Sequence, residues 1–337
     1  MLSNSFAGTI LKIYFGLCFL IDIFSFVLYI LMLLFIGNRI KKKDKFYSSG
    51  FYKLIMFNGI LDLIFIVEEY ITFRIPQAGF FEHFYVNIFS KYLISGMCYT
   101  YSVVQGVFLS LSGITITLNR YIAVKYFTKY DYLWSGWRLI LLSTWPLFIS
   151  VPVFIIFYKS EVEYAITFVG SISVYYKDLY LKYFIWYIVL TIHFIALFIN
   201  IILNGILVYT VKKLDILNKI NDNKRKKEVK LEVTMAKFAI VYCTFLTLLV
   251  CVEAGMIIAI TSKTIEVAEI LLTSYVLVET VTVFFTPYTL LFLSYDFCEK
   301  FIFFIGCSKL WFLKKNKNTL VKAIKIPANV IKTKFTI

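Results

Sequence analysis

Hydrophobic residues make up 60% of this 337-residue chain and charged residues 16%, where about 45–50% and about 25% are usual in soluble proteins. This composition excludes a water-soluble globule, and the 35 Phe and 25 Tyr exclude a disordered chain. A net charge of +15 suits nucleic-acid binding in a soluble protein, but in a membrane protein it more often reflects basic cytoplasmic loops. We therefore expect an integral membrane protein with no nucleic-acid partner.

Seven apolar segments are long enough to cross a bilayer as helices, since a hydrocarbon core of about 30 Å needs about 20 helical residues. None shows the alternating pattern of a transmembrane barrel strand. The sequence thus predicts an all-α membrane protein, a seven-transmembrane helical bundle. The predicted spans are residues 13–36, 54–73, 93–118, 139–158, 183–209, 238–260 and 267–294.

The positive charges predict the orientation of this bundle. Of the 35 Lys and Arg residues, 28 lie in alternate connections and after the last span, and 7 lie at the amino terminus and in the other connections. Because short loops rich in Lys and Arg stay in the cytoplasm, we expect the amino terminus outside and the carboxyl terminus inside. The basic connections are residues 37–53, 119–138 and 210–237.

An amphipathic segment follows the seventh span. We expect a helix along the membrane surface over residues 295–313, because its apolar side chains share one helical face, and a basic cytoplasmic tail over residues 314–337. Cys298 and Cys307 either carry palmitoyl anchors or are ordinary thiols. The shared face consists of Phe297, Phe301, Phe304 and Ile305.

The residue types that catalysis needs are sparse. The two histidines, His83 and His193, lie far apart in the chain, and no pair of cysteines has the spacing of a zinc site. The chain has neither a nucleophile elbow nor a glycine-rich phosphate loop. We therefore expect neither an enzyme nor a bound metal or cofactor.

Six acidic residues fall within the predicted spans, where a carboxylate costs about 2.5–3.5 kcal/mol on insertion scales. Each is either a functional group or a carboxyl that is protonated or hydrogen-bonded inside the bundle, and the sequence leaves both interpretations open. No Lys or Arg is expected in the span cores to pair with them, and Glu68 and Glu69 are expected near water at the outer end of span two. The six acids are Asp22, Asp62, Glu68, Glu69, Glu253 and Glu279.

Several of these features together resemble a rhodopsin-like G-protein-coupled receptor. They are the seven spans, the outside amino terminus, the deep Asp62 in span two, the pair Arg120-Tyr121 ending span three, and the pair Pro287-Tyr288 late in span seven. A closer resemblance is to the nematode serpentine chemoreceptors, class gamma. It rests on the segments Ser48-Ser49-Gly50-Phe51-Tyr52-Lys53-Leu54, Leu61-Asp62-Leu63 and Arg74-Ile75-Pro76.

The resemblance implies a receptor domain over residues 1–294 that couples to a heterotrimeric G protein. Arg120 would latch span three to span six at rest and contact the G protein when active, with Tyr121 beside it. Asn119 stands where the family usually has an acid, so the local ion pair that restrains the arginine is missing. The disulfide between span three and the second outer loop is missing too, since residues 159–182 contain no cysteine.

The resemblance also implies an activation network in spans two and seven. Asp62 and Asn58, one turn apart, would form the centre of a polar network able to bind sodium. Thr286, Pro287 and Tyr288 would lie in the region that rearranges on activation. Thr286 stands where rhodopsin-like receptors have Asn.

The function favoured by these features is a chemosensory receptor that detects a small molecule in the plasma membrane of a sensory neuron. We expect the ligand in the outer half of the bundle between spans three, five, six and seven, where polar groups converge within an aromatic-rich wall. The alternative is that the tyrosines form an interfacial belt and the acids bond to neighbouring helices. The expected ligand residues are Tyr99, Tyr101, Gln105, His193, Glu253 and Glu279.

A second class of function is an ion or solute transporter that uses the intramembrane acids as a relay. Many transporters carry internal repeats and helices broken at glycines. The odd number of spans and the lack of both features argue against this alternative.

Overall fold

The computed structural model describes residues 3–167, 171–218 and 223–306, and most of the described backbone is helical. Six of the described helices are long and apolar enough to cross a bilayer, and a bent pair of shorter helices makes the seventh span. The predicted seven-helix bundle is thereby confirmed. We call these elements spans one to seven: Ser3–Lys41, Gly50–Glu69, Leu93–Lys125, the pair Gly136–Thr144 and Leu147–Phe157, Leu179–Asn218, Asn223–Thr261 and Ile265–Leu293.

Span two does not end with its apolar run. It continues through a wider, π-helical turn, Tyr70–Arg74, and a short helix, Ile75–Gln77. The wide turn ends two residues before Pro76, which has no backbone N–H and whose ring clashes with the preceding turn of a regular helix. Arg74 is therefore part of the span and is buried, whereas the sequence placed it in the following loop.

Span four is bent by 41° between its two helices, at Trp145 and Pro146. The proline cannot donate the backbone hydrogen bond that would continue a straight helix. The indole Nε1 of Trp145 donates to the Thr115 hydroxyl of span three at 2.7 Å. The bend is thus fixed against the centre of the bundle.

The connection between spans four and five forms a β-hairpin that was not predicted from the sequence. Strand β1 (Val162–Ile166) pairs antiparallel with strand β2 (Ile172–Tyr176), with Val162 opposite Tyr176. Both side chains of this pair are buried. We call this end of the bundle the hairpin end, and the opposite end, where span three reaches Lys125, the basic end.

The hairpin connection packs on span three without a disulfide. Gly96 lies so close to the backbone carbonyl of Ser160 that a Cβ at this position would overlap with the carbonyl oxygen. One turn later, the hydroxyl of Thr100 lies 2.8 Å from that of Tyr176 in β2. Cys98, between these positions, forms no disulfide with a described residue. Close backbone approach and hydrogen bonding therefore hold the hairpin on the bundle.

A further helix, Tyr295–Phe304, follows span seven within the range predicted for the membrane-surface helix. The Ser294 side chain caps its amino terminus by accepting a hydrogen bond from the Phe297 N–H at 3.3 Å. Phe297 and Phe301 are buried, and their rings pack edge-on against Phe35 of span one. This helix is therefore attached to the basic end of the bundle by its apolar face.

The rest of the predicted apolar face is more open. Phe304 and Ile305 are partly exposed, but the Phe304 ring also packs against Phe35 of span one, with the ring centroids 5.4 Å apart. Three of the four residues of the face therefore contact span one. Cys298 is half-buried within the helix. Cys307 and the predicted tail, residues 314–337, lie outside the described residues.

Candidate ligand pocket and coupling surface

A cavity of about 180 Å³ lies beneath the hairpin, between spans three, five, six and seven. These are the four spans among which the sequence predicted a ligand site. Of the predicted ligand residues, Tyr99 lines the cavity. Its walls are Tyr99, Ser173, Val174, Tyr175, Lys182, Tyr183, Trp186, Met256, Ile260, Ala268 and Leu272.

The cavity is rich in aromatic rings. Tyr99 is buried, and its ring meets that of Tyr176 nearly at a right angle, with centroids 4.8 Å apart. Trp186 meets Tyr275 of span seven in the same way, at 5.3 Å. A buried Tyr99 does not fit the alternative of an interfacial belt for this residue. The rings give the cavity apolar walls with hydroxyl and indole hydrogen-bonding groups.

A polar pair lies one to two turns deeper. His193 Nδ1 of span five and Glu253 Oε1 of span six are 2.7 Å apart, and both side chains are fully buried. The contact is an ion pair when the imidazole is protonated and the carboxyl is ionised, and a hydrogen bond otherwise. His193 Nε2 and Glu253 Oε2 have no hydrogen-bond partner among the described residues. The pair links two spans and leaves two polar atoms available.

Glu279 of span seven approaches the same place. A Cβ added to Gly106 of span three would lie 3.0 Å from Glu279 Oε1, 3.3 Å from the Tyr275 hydroxyl and 3.6 Å from His193 Cε1. Three polar side chains from spans five and seven therefore converge on Gly106, which leaves space for them because it has no side chain. Glu279 Oε1 is buried and has no partner among the described residues.

Two predicted ligand residues are placed differently. Gln105 is buried beside Gly106, and its Nε2 has no partner among the described residues. Tyr101 is half-buried and packs against the apolar cluster at the other side of span three, away from the cavity. The structure therefore places Tyr99 in the cavity wall and Gln105 at the depth of the His193–Glu253 pair, with Tyr101 away from both.

A buried arginine at the hairpin end overturns the expectation that the acids have no basic partner. Arg74 Nε donates to Glu69 Oε1 at 3.1 Å, and both side chains are almost completely buried. Arg74 also donates to the Val276 carbonyl at 3.1 Å and to the Thr280 hydroxyl, both in span seven. No sequence motif marks this pair, because it depends on the π-helical turn Tyr70–Arg74 that keeps Arg74 within the span.

Glu69 is also not the water-exposed residue expected from its position, whereas Glu68 is partly exposed. Glu69 is buried, and its carboxylate accepts a hydrogen bond from Thr280 at 2.8 Å. Glu68 accepts hydrogen bonds from Thr72 and from Ser102 of span three. Both acids thus connect span two to its neighbours.

Asp62 and Asn58 lie together on span two, as the sequence predicted. The Tyr29 hydroxyl donates to Asp62 Oδ2 at 2.6 Å, whereas Asp62 Oδ1 and both amide atoms of Asn58 have no partner among the described residues. A small void of about 10 Å³ touches these groups together with Ser112 and Thr286. This is room for about one water molecule or ion.

The two residues after Thr286 do not line this void. Pro287 lies within the helix of span seven. The hydroxyl of Tyr288 is 2.7 Å from that of Ser25 in span one. The predicted activation residues therefore divide between the void and the contact of span seven with span one.

Arg120 is buried at the basic end of span three, and its partners come from two directions. Its guanidinium lies 4.1 Å from the ring centre of Phe51, at the start of span two. Its Nε donates to Asn119 Oδ1 at 3.0 Å, and its Nη2 donates to the Tyr130 hydroxyl at 3.3 Å. Tyr130 belongs to a helix in the following loop, Phe127–Leu133. The amide of Asn119 takes the place of the missing acid.

The Tyr130 hydroxyl is the centre of this group. It accepts hydrogen bonds from the Phe51 backbone N–H and from Asn119 Nδ2, each at 3.2 Å, in addition to the one from Arg120. The Tyr121 hydroxyl, by contrast, accepts a hydrogen bond from Lys125 Nζ at 2.6 Å, one turn later on the same helix. We call Phe51, Asn119, Arg120 and Tyr130 the arginine cluster.

Comparison with known proteins gives one family. The family model described as "Serpentine type 7TM GPCR chemoreceptor Srv" matches residues 18–307. The predicted resemblance to serpentine chemoreceptors is confirmed, but class gamma is not, since Srv is a different class. A search of curated proteins found no match.

Proposed function

Since the chain belongs to the Srv family of serpentine seven-transmembrane G-protein-coupled chemoreceptors, we propose that it detects a small molecule in the cavity beneath the hairpin. In this proposal the hairpin end faces the outside of the plasma membrane of a sensory neuron. The basic end faces the cytoplasm and binds a heterotrimeric G protein. The charge asymmetry of the connections supports this orientation.

The observation that carries the proposal is that an aromatic cavity lies directly above a layer of buried polar groups. The aromatic cavity of about 180 Å³ lies above a buried polar layer in which His193, Glu253 and Glu279 keep unpartnered atoms. Small-molecule sites combine apolar walls with a few convergent polar groups in this way. The ligand binds between the walls, and Trp186 and Tyr275 separate it from the polar layer.

Signal transfer follows from the connections between the spans. The polar layer joins spans three, five, six and seven, so a ligand that changes their packing shifts the equilibrium between helix arrangements. The void at Asp62 and Asn58 lies between this layer and the basic end. It is the proposed activation network, in which a water molecule or a cation satisfies the unpartnered oxygen of Asp62.

At the basic end, the arginine cluster is the proposed resting state of the coupling surface. Arg120 is buried against Phe51 and Tyr130 and is thereby withheld from a docking helix. Activation separates the loop helix from span two and exposes the guanidinium, which then binds carbonyl or carboxylate oxygens of the G protein. The transporter alternative is not favoured, because the matched family is one of receptors.

The test is a small-molecule screen in cells that express the chain with a G-protein reporter. Leu272→Trp fills the cavity and should lower agonist potency at least tenfold at equal surface expression. Ile270→Trp is the matched control, because Ile270 lies on the same span but is exposed on its outer surface. Equal potency in the two variants would place the ligand outside this cavity.

A further inference from the structure

A second cavity opens sideways, toward the bilayer. It has a volume of about 380 Å³ and lies across the outer face of span seven, between spans one and six. Val281 is 52% exposed and Phe292 is 85% exposed, so this face of span seven is open to lipid. The cleft plays no part in the proposed ligand site. Its walls are Ile21, Asp22, Ser25, Val241, Phe245, Thr280, Val281, Phe284, Phe285, Tyr288, Thr289, Phe292 and Leu293.

One end of this cleft carries an acid that the receptor mechanism does not use. Asp22 is 8% exposed, and its Oδ2 accepts a hydrogen bond from the Tyr70 hydroxyl at 2.6 Å. Its Oδ1 accepts no hydrogen bond from a described residue. This oxygen is not fully enclosed by the described residues, so it is open to a group in the cleft. A carboxyl oxygen without a partner at membrane depth is costly, and a bound group that bonds to it recovers this cost.

The depth of Asp22 matches the head of a lipid rather than its tail. The 17 residues from Asp22 to Arg39 correspond to about 25 Å of helix, while the hydrocarbon core is about 30 Å thick. With Arg39 at the basic boundary, Asp22 lies only about 5 Å inside the boundary at the hairpin end. From Thr280 to Leu293 the cleft extends about 20 Å along span seven, away from that boundary.

The chemistry of the polar end selects among lipid head groups. A hydroxyl both donates and accepts, so it bonds to the Asp22 carboxyl whether that group is ionised or protonated. A phosphate is repelled by the ionised carboxylate. The Arg74 guanidinium also acts electrostatically on Asp22, but it is already bonded to Glu69 and to span seven. The hydroxyls of Ser25 and Tyr288 are bonded to each other at 2.7 Å, which leaves Asp22 as the main anchor. Aromatic side chains such as Phe284 and Phe292 then line the path of a rigid apolar body.

We propose that this cleft binds a lipid with a single hydroxyl group on an apolar body, such as a sterol. The hydroxyl bonds to Asp22, and the body lies along span seven toward Phe292. Under the proposed function Tyr288 belongs to the activation region, so the bound lipid would contact a part of span seven that takes part in signalling.

The experiment uses the full chain in phosphatidylcholine nanodiscs with a photoactivatable cholesterol that keeps its hydroxyl. Peptides of spans one and seven should be labelled, and cholesterol should compete at least tenfold better than its 3-O-methyl ether. Equal competition by the two sterols would overturn the proposal and show that the cleft holds any apolar chain. This comparison needs no variant and so does not depend on how a mutant folds.

Variants locate the site. Asp22→Leu should lower labelling at least tenfold, whereas Asp22→Asn, which keeps a donor and an acceptor, should retain most of it. Val281→Trp should block the cleft from the lipid side. Ile155→Trp, at an exposed position of span four, is the control and should label as the natural chain does. Undiminished labelling in both Asp22→Leu and Val281→Trp would also overturn the proposal.

Discussion

His193 and Glu253, 60 residues apart in the chain, form a contact of 2.7 Å with no exposed surface on either side chain. Removing one member of such a buried pair leaves the other uncompensated, which typically costs about 3–5 kcal/mol. The pair therefore has a structural role besides its proposed role in ligand detection, and mutation can separate the two.

The first prediction concerns the stability of this pair. His193→Ala should lower the thermal unfolding midpoint of the purified chain markedly, because Glu253 is left buried without a partner. Glu253→Gln should lower it less, since the amide oxygen still accepts a hydrogen bond from the imidazole. The control is Phe194→Ala, which removes an adjacent side chain that is 61% exposed toward the bilayer. Equal midpoints for His193→Ala and Phe194→Ala would contradict the prediction.

The second prediction uses the absence of a side chain at Gly106. Gly106→Ala places a methyl group 3.0 Å from Glu279 Oε1, which is closer than an ordinary van der Waals contact. The polar layer must then shift, and agonist potency in the reporter assay should fall at least tenfold. Gly205→Ala in span five meets nothing within 4 Å and should leave potency within threefold. If agonist potency stays within threefold in both variants, the polar layer has no role in ligand binding.

The third prediction is an increase in signalling without ligand. Tyr130→Phe removes the hydroxyl that bonds to Arg120, Asn119 and the Phe51 backbone, so the resting arginine cluster is weakened and basal reporter signal should rise at least twofold. Tyr132→Phe, in the same loop helix but at an exposed position, should leave it unchanged.

Arg120→Ala tests whether the arginine itself is needed for coupling to the G protein. This variant should abolish signalling while surface expression survives, because the guanidinium is the proposed contact with the G protein. The double variant with Tyr130→Phe should be silent as well. A double variant that still signals strongly would assign coupling to another residue.

The fourth prediction is the orientation of the bundle. An epitope tag before Leu11 should bind antibody in intact cells, and a tag after Ile337 should bind only after permeabilisation, as expected from the distribution of Lys and Arg. If only the tag after Ile337 bound antibody in intact cells, both the orientation and the proposed placement of the ligand cavity would be wrong.

The sequence by itself determined the seven-helix architecture and the relation to serpentine chemoreceptors, but not the class within them. Length and hydropathy of a segment are properties of the chain alone, so the spans could be found without knowing how they pack. The same holds for short motifs, and Arg120 and Asp62 lie at the depths that their positions in spans three and two predicted. Asn58 likewise shares its void with Asp62, because residues four apart face the same way on any helix.

Only the tertiary structure decided which polar groups meet. Arg74 bonds to Thr280, 206 residues later, through a π-helical turn. Tyr101 turned away from the cavity that Tyr99 lines. The spans are apolar around most of their circumference, so their sequences give little sign of the face that packs inward. The inward face is set by contacts between spans that are distant in the chain, and these contacts determine both the cavity beneath the hairpin and the position of Arg120.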